Sequence, residues 1–255
     1  MGRIVPRLRF TDVRWVEETD STNTRLLDDA RAGAPEGSVL VADHQTAGRG
    51  RLGRRWEAPP GSALLVSVLV RPTLPVARAH LVTMAAGLAA SDAVTELTDQ
   101  RPSLKWPNDL VYEDMGGTWK VAGLLSESLV EDDRLTALVV GMGLNVDVAP
   151  AEGSEAVNTY MGGPAEGPVG RRDLLDRWLR ELDGRLDDLD AVLPDYRRRC
   201  STLRRPVRVV LPDGELEGRA ADVTDDGHLV VETGTGPVEV AVGDVVHVRP
   251  SRGGP

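Results

Sequence analysis

Four long apolar runs set the limits on what this chain can fold into: "GSVLVAD", "SALLVSVLVRP", "KVAGLLSESLV" and "LTALVVGMGLNV". Each is rich in valine and leucine and is bounded by turn-forming or polar residues, which reads as a strand. Only the polar "EDDR" separates the last two, which predicts a hairpin. Residues 78–98, "RAHLVTMAAGLAASDAVTELT", instead carry small and apolar side chains at helical spacing, with no proline inside. "DSTNTRLLDDARAG" predicts a short helix capped by Asp20, Ser21 or Thr22 and stopped at Gly33. "RRDLLDRWLRELDGRLDDLDAV" predicts one long amphipathic helix, with Leu174, Leu175, Trp178, Leu182, Leu186 and Leu189 on its buried side. The segment 149–169, rich in Gly, Pro, Ala and Glu, predicts a mostly exposed loop. Strands and helices in this arrangement make an α+β fold, with a mixed or antiparallel sheet flanked by helices.

After "RRRCSTLRRP" the character of the chain changes. Short Val-rich runs alternate with turn signals at Asp213-Gly214, Asp226-Gly227 and Gly234 to Gly236, the pattern of a small antiparallel barrel. The boundary is placed near residue 205, giving a larger unit over 1–205 and a small β-barrel over 206–255.

With 41% apolar residues among 255, there is ample material for a core. A single cysteine, Cys200, excludes an internal disulfide and a thiolate metal site built by itself, and it suits a reducing cytoplasm. No apolar run reaches the ~18 residues of a membrane span, and the basic start "MGRIVPRLRF" has no apolar stretch behind it to make a signal peptide. The formal net charge of −10 argues against a general nucleic-acid binder. Any anion site is therefore a local concentration of positive charge on an acidic body.

The basic residues are unevenly chosen. Of 30, only Lys105 in "SLKWPNDL" and Lys120 in "TWKVAGLLSE" are lysine, and the rest are arginine. Lysine is a compact, mobile point charge, whereas arginine is a rigid planar fork. Two amines kept in an arginine-writing chain mark places where a fork does not fit. The four asparagines are comparably selective, since Asn23, Asn108 and Asn145 lie in the motifs below and only Asn158 does not.

"HQTAGRGRLGRRW" (His44 to Trp56) contains Gly48, Gly50 and Gly53 and so matches G-x-G-x-x-G literally. A dinucleotide fingerprint opens directly into a helix, yet a turn and another strand follow here. Arg49, Arg51, Arg54 and Arg55 crowd four like charges together, which predicts a mobile loop that orders when an anion arrives. Phosphate and carboxylate are the anions that the guanidinium fork fits best. Trp56, next to the cluster, is suited to cover an aromatic base.

Taken together, "DSTN", "HQTAGRGRLGRRW", "SLKWPNDL", "KVAGLLSE" and "VVGMGLNV" resemble, in order and spacing, the biotin–protein ligases, also called biotin–[acetyl-CoA-carboxylase] ligases. The resemblance runs from about residue 15 to 148, and the small C-terminal barrel also fits the family. It implies a class II synthetase-like catalytic domain, followed by an SH3-like barrel. It also implies a two-step reaction in which ATP and Mg²⁺ convert biotin to biotinyl-5′-AMP, and a lysine of a biotin carboxyl carrier domain then takes the biotin. Residue by residue, the resemblance assigns Ser21, Thr22, Asn23, Gln45 and Gly48 to the biotin end. Arg49, Gly50 and Arg51 close over biotin and the phosphoryl group. Arg54, Trp56, Asn108, Asp109 and Asn145 belong to the nucleotide side, where Asp109 either orients a donor or touches Mg²⁺. Lys120 matches the central lysine, with Lys105 beside it on the phosphate side or in the Asp109 network, and Lys120, Arg51 and Lys105 are the expected catalytic group. No metal ligand set is legible.

Many bacterial members carry an N-terminal helix-turn-helix. About twenty residues before "DSTN" are too few for one, so no DNA binding is expected. The expected partners are biotin, ATP and the carrier domain, without a membrane, in a cytoplasmic monomer or homodimer. Two other readings stand beside this one: a lipoate or other acyl–protein ligase of the same fold, and a nucleic-acid-binding regulator using the arginine loop. His44, His80, His228 and His247 show no metal-ligand spacing and are read as structural. Trp15, Trp106, Trp119 and Trp178 are read as core or loop anchors, Trp106 and Trp119 being close enough to the motifs to line a pocket.

Overall fold

The computed structural model describes residues 8–247. Seven of the ten residues of "MGRIVPRLRF" and the last eight of the chain lie outside them, so the reading of the N-terminus as free of a signal peptide also falls largely outside the described residues.

Seven strands form the main sheet: β1 (Asp12–Thr19), β2 (Ser38–Gln45), β3 (Ala63–Val70), β4 (Ser103–Lys105), β5 (Asp109–Asp114), β6 (Gly117–Glu131) and β7 (Arg134–Asn145). Their order is β1-β2-β3-β7-β6-β5-β4. Only β1 and β2 are parallel, and every other pairing is antiparallel, so the sheet is mixed. The hairpin between β6 and β7 turns on Asp132 and Asp133, both at positive φ (48° and 60°). Aspartate tolerates that conformation, and a two-residue turn of this hand matches the strand twist.

Period-two alternation sorts the sheet into two faces. Val39, Val41, Leu64, Val66, Val68, Leu138, Val140, Met142 and Leu144 face the larger core. Helices α2 (His80–Thr98) and α3 (Arg171–Leu186) cover that side. Leu40, Leu69, Ala137 and Val139 face the other way, against Leu26, Leu27 and Ala30 of α1 (Thr22–Arg31). Ser21 caps α1, its side chain accepting from the Thr24 amide, an interaction worth about 1 kcal/mol.

One expectation needs correction. The predicted single helix over 171–192 ends at Leu186, and a 3-10 turn at Leu189–Ala191 leads into α4 (Val192–Arg199). Asp188 breaks it, because its side chain accepts from the Ala191 amide and starts a new helical segment instead of continuing the old one. Pro194 is tolerated in the first turn of α4, where an amide donor is not needed. The segment 149–169 is mostly exposed, as its composition predicts, and anchors itself through Ala156, Val157 and Tyr160, which are buried. Tyr160 stacks on Tyr112 with ring centroids 3.9 Å apart.

The second sheet is antiparallel, in the order β11-β10-β9-β8-β12. Its strands are β8 (Pro206–Leu211), β9 (Gly214–Val223), β10 (Leu229–Thr233), β11 (Gly236–Val240) and β12 (Asp244–His247). Val207, Val209, Ala220, Val223, Leu229 and Val231 join the same buried cluster as the main sheet. The barrel is therefore packed onto the larger unit. Trp106 reinforces this contact by donating from its indole nitrogen to the Gly227 carbonyl at 3.0 Å.

Candidate active site

The alternation of β7 decides what lies beneath the site. With Leu138, Val140, Met142 and Leu144 turned into the core, Gly141, Gly143 and Asn145 take the opposite face. A Cβ on Gly141 would sit 2.1 Å from Oδ1 of Asn23, and one on Gly143 would sit 2.4 Å from Cε2 of Trp56. The two glycines thus allow an amide and an indole to lie directly on the strand.

A cavity of about 240 Å³ opens over this floor. At one end stand Ser21, Thr22, Asn23 and Gln45, from the start of α1 and the end of β2. Gln45 accepts from the Thr22 amide at 2.7 Å and from its hydroxyl at 3.1 Å. Asn23 is held on all sides. Its oxygen accepts from Ser67 at 2.6 Å, and its nitrogen donates to the Leu125 carbonyl at 3.0 Å and to Glu127 at 3.1 Å. This end is polar, backed by the carboxylate of Glu127, and fixed in place.

The loop from Thr46 to Trp56 forms the roof. Backbone bonds from Gly50 to Arg54 (2.7 Å) and from Trp56 to Gly48 (3.0 Å) tie it into a compact turn. The expected mutual repulsion of its arginines is offset by carboxylates that the sequence does not place beside them. Arg49 pairs with Glu127 at 2.9 Å, and Arg54 pairs with Asp244 of the small barrel at 2.8 Å. Arg55 reaches Glu57 at 3.9 Å. Arg51 alone of the four makes no ion pair among the described residues, and it touches Asn108 at 3.4 Å. Burial lowers its pKa, with Asp244 and Asp109 opposing that shift. It still carries a full charge at neutral pH, as arginine does. A half-buried guanidinium without a carboxylate is the group best prepared to take an anion.

Lys120 enters from the far wall. Its backbone is pinned on both sides, donating to the Gly153 carbonyl and accepting from the Glu155 amide, each at 2.9 Å. Its ammonium lies 2.7 Å from Asp109 and 5.6 Å from the centroid of the Trp56 ring. Asn145 donates to the Glu155 carbonyl at 3.2 Å, while its buried oxygen has no partner among the described residues; the same holds for the indole nitrogen of Trp56. The indole nitrogen lies over Gly143, where a Cβ would come within 2.6 Å of it, so the ring is turned edge-on to the floor strand.

The structure gathers Ser21, Thr22, Asn23, Gln45, Arg49, Gly50, Arg51, Arg54, Trp56, Asn108, Lys120 and Asn145 around one cavity. Gly48, Asp109 and Lys105 do not line it. Gly48 supports the roof, and Asp109 acts through Lys120. Lys105 lies across from Asp109 in the strand register. Burial lowers its pKa, against the pull of Asp109. Trp106 and Trp119 do not line this cavity either, because Trp106 is buried against the barrel and Trp119 donates to Asp114 at 3.2 Å. Sequence reasoning missed Glu127, Ser67, Asp244 and the glycine floor. Only the floor left a signal, two glycines spaced by one residue inside a strand-like run.

Comparison with known proteins agrees with this geometry. The model of the biotin/lipoate A/B protein ligase family matches residues 15–145, and that of the biotin protein ligase C terminal domain matches residues 202–248. The biotin–[acetyl-CoA-carboxylase] ligase of Mycobacterium tuberculosis is 40% identical over 244 residues, covering 92% of this chain and 88% of that protein. The bifunctional ligase/repressor BirA of Escherichia coli is 30% identical over 237 residues, covering 90% of this chain and 72% of that protein. The structure of the Aquifex aeolicus biotin protein ligase in complex with biotin and ATP superposes with a TM-score of 0.76 at 28% identity, covering 94% of this chain and 100% of that one. The chain belongs to the biotin/lipoate A/B protein ligase family.

Proposed function

We propose that this member of the family is an ATP-dependent biotin–protein ligase, which joins biotin to AMP and then passes it to a lysine of a carrier protein. The observation that carries this reading is the gradient along one cavity. Hydroxyls and two amides stand at the Ser21–Gln45 end, Arg51 and Lys120 stand at the other, and glycines form the floor between. The neutral ureido ring of biotin suits the first end, and its carboxylate together with the nucleotide phosphates suits the second.

In the first step a carboxylate oxygen of biotin attacks the α-phosphorus of ATP, an O–P bond forms, and pyrophosphate leaves. Both reactants are anions, so the protein's part is to supply positive charge and position. Lys120 meets this need with a small ammonium that follows charge as it moves from carboxylate to phosphate. Its pairing with Asp109 and its pinned backbone hold it in place beforehand. Arg51 offers a fork for phosphate oxygens, and Trp56 offers a ring face for the adenine. In the second step the acceptor lysine's amine attacks the biotinyl carbonyl, an amide forms, and AMP leaves.

Mg²⁺, when bound with the nucleotide, would offset phosphate charge. Asp109 lies outside the cavity and is held against Lys120 at 2.7 Å, and Glu57 is the carboxylate in the lining, so phosphate oxygens would supply most of the shell. The described residues contain no group of three His, Cys, Asp or Glu side chains suited to holding a metal alone. The acceptor is the biotin carboxyl carrier domain of a carboxylase. The reducing cytoplasm is the compartment that suits the lone buried thiol, Cys200. No described helix is long and apolar enough to cross a membrane.

Isotope exchange between pyrophosphate and ATP tests the reading when run in parallel with biotin and with lipoate. Exchange that depends on biotin is the expected result; exchange with lipoate alone, or with neither, overturns it.

A further inference from the structure

The face of the sheet that carries the glycine floor ends in a carboxylate. Along it Gly143 pairs with Gly123 and Gly141 with Leu125, and the next pair on that face is Val139 with Glu127. The Glu127 side chain is only 20% exposed and stands just outside the cavity lining. We infer that Glu127 is a positioning residue, which clasps the roof shut over the biotin end and so sets how long the activated biotin is retained. The inference rests on the biotin–protein ligase reading above.

One carboxylate joins three elements. Its Oε2 accepts from the Asn23 side chain of α1 at 3.1 Å, and its Oε1 lies 2.9 Å from Arg49 of the roof, while Glu127 itself belongs to β6. Arg49 also donates to the Thr24 hydroxyl of α1 at 3.4 Å. The residue across from Glu127, Val139, belongs to an apolar cluster with Leu26 and Leu27. A carboxylate in such a place is costly unless it is paired. Its partners offset that cost, and one of them is the amide assigned to the biotin end.

The roof needs such a clasp. Backbone bonds from Thr46 to Thr19 and from Ala47 to Asp20, both 2.9 Å, anchor its start. Beyond Ala47 the backbone bonds of the roof run within the roof itself, and its four arginines repel one another. Ion pairs tie it to the rest of the protein at two points, Arg54 to Asp244 of the barrel and Arg49 to Glu127 of the main sheet. The second tie is the one beside Asn23. Biotinyl adenylate is a reactive mixed anhydride, and any amine attacks its carbonyl once the roof lifts, forming an amide and releasing AMP. Closure at the Asn23 end therefore decides whether the biotinyl group waits for the carrier's lysine or escapes to other amines.

Glu127→Gln removes the charge but keeps an oxygen for Asn23, and Arg49→Gln removes the same pair from the roof side. Each single variant and the double variant are digested briefly with trypsin in the absence of ligands. Cleavage after Arg54 and Arg55 is then compared with cleavage elsewhere, since native-state cleavage follows the open population. Either single variant should be cut about fivefold faster in the roof, the upper value for a solvent-accessible ion pair. The double variant should show no further gain, and other arginines should be cut as before. Unchanged cleavage in the roof overturns the inference, as do additive effects or an equal rise along the whole chain. A second assay supplies biotin and ATP with serum albumin and a carrier domain of acetyl-CoA carboxylase together. Glu127→Gln should raise albumin labelling relative to carrier labelling by about the same fivefold, and an unchanged ratio overturns the link to retention. Absence of biotin-dependent exchange in the unsubstituted protein would instead overturn the ligase reading, which the digestion does not depend on.

Discussion

Lys120→Arg keeps the charge at the centre of the site and changes only its shape. The space around the ammonium is bounded on three sides. Asp109 lies 2.7 Å away, a Cβ built on Gly123 would come within 3.0 Å, and the Trp56 ring centroid is at 5.6 Å. A guanidinium is longer and planar, so it must displace the indole from its glycine floor or give up the alignment with Asp109. Overpacking of this kind costs about 1–3 kcal/mol. If that cost falls on the transition state, the rate of adenylation drops by about 5- to 150-fold. Lys120→Ala removes the charge as well and should lose about 10²- to 10³-fold, the usual cost of deleting one pre-positioned electrostatic group. Biotin-dependent pyrophosphate exchange under saturating substrates measures both, and thermal melting checks that the fold survives. An arginine variant exchanging at the unsubstituted rate would refute the argument that shape, and not charge alone, keeps a lysine here.

Asn23→Ala should lower stability by about 1–3 kcal/mol, read as a shift in the urea midpoint, because the Leu125 carbonyl and the Ser67 hydroxyl each lose a partner. An unchanged midpoint would mean that the amide network contributes nothing. His247 predicts an acid-sensitive barrel contact. Burial, with Lys105 and Arg205 adding to it, pushes its pKa down to about 4, although Glu113 lies 3.9 Å from its Nδ1. The folded protein thus holds the ring neutral while the unfolded chain takes up a proton below pH 6.5. Stability is complete above that value and falls by about 3 kcal/mol as the pH drops through 6.5 to 4. His247→Gln should flatten the urea midpoint across that window; an equally steep fall would place the acid sensitivity elsewhere.

Much of this is legible in the sequence because it is local. Strand periodicity, the cap at Ser21 and the turn between β6 and β7 depend on residues close together in the chain. The break at Asp187 and Asp188 is not legible in the sequence because an amphipathic stripe continues across it, whereas the Asp188 side chain's bond to Ala191 ends the helix there. Composition shows that 149–169 is mostly exposed, but it reports average polarity and does not show that Val157 and Tyr160 turn inward.

The sequence by itself determined the chemical parts of the site: two amines among arginines, an arginine-glycine loop between strands, and three asparagines in motifs. Only the tertiary structure decided which charges remain available. Arg49 and Arg54 are taken up by Glu127 and Asp244, which are 78 and 190 residues distant in the chain, while Arg51 is left without a carboxylate. That partition follows from the strand order and from the docking of the barrel, because an ion pair depends on distance in space and a linear sequence does not specify which distant residues will meet.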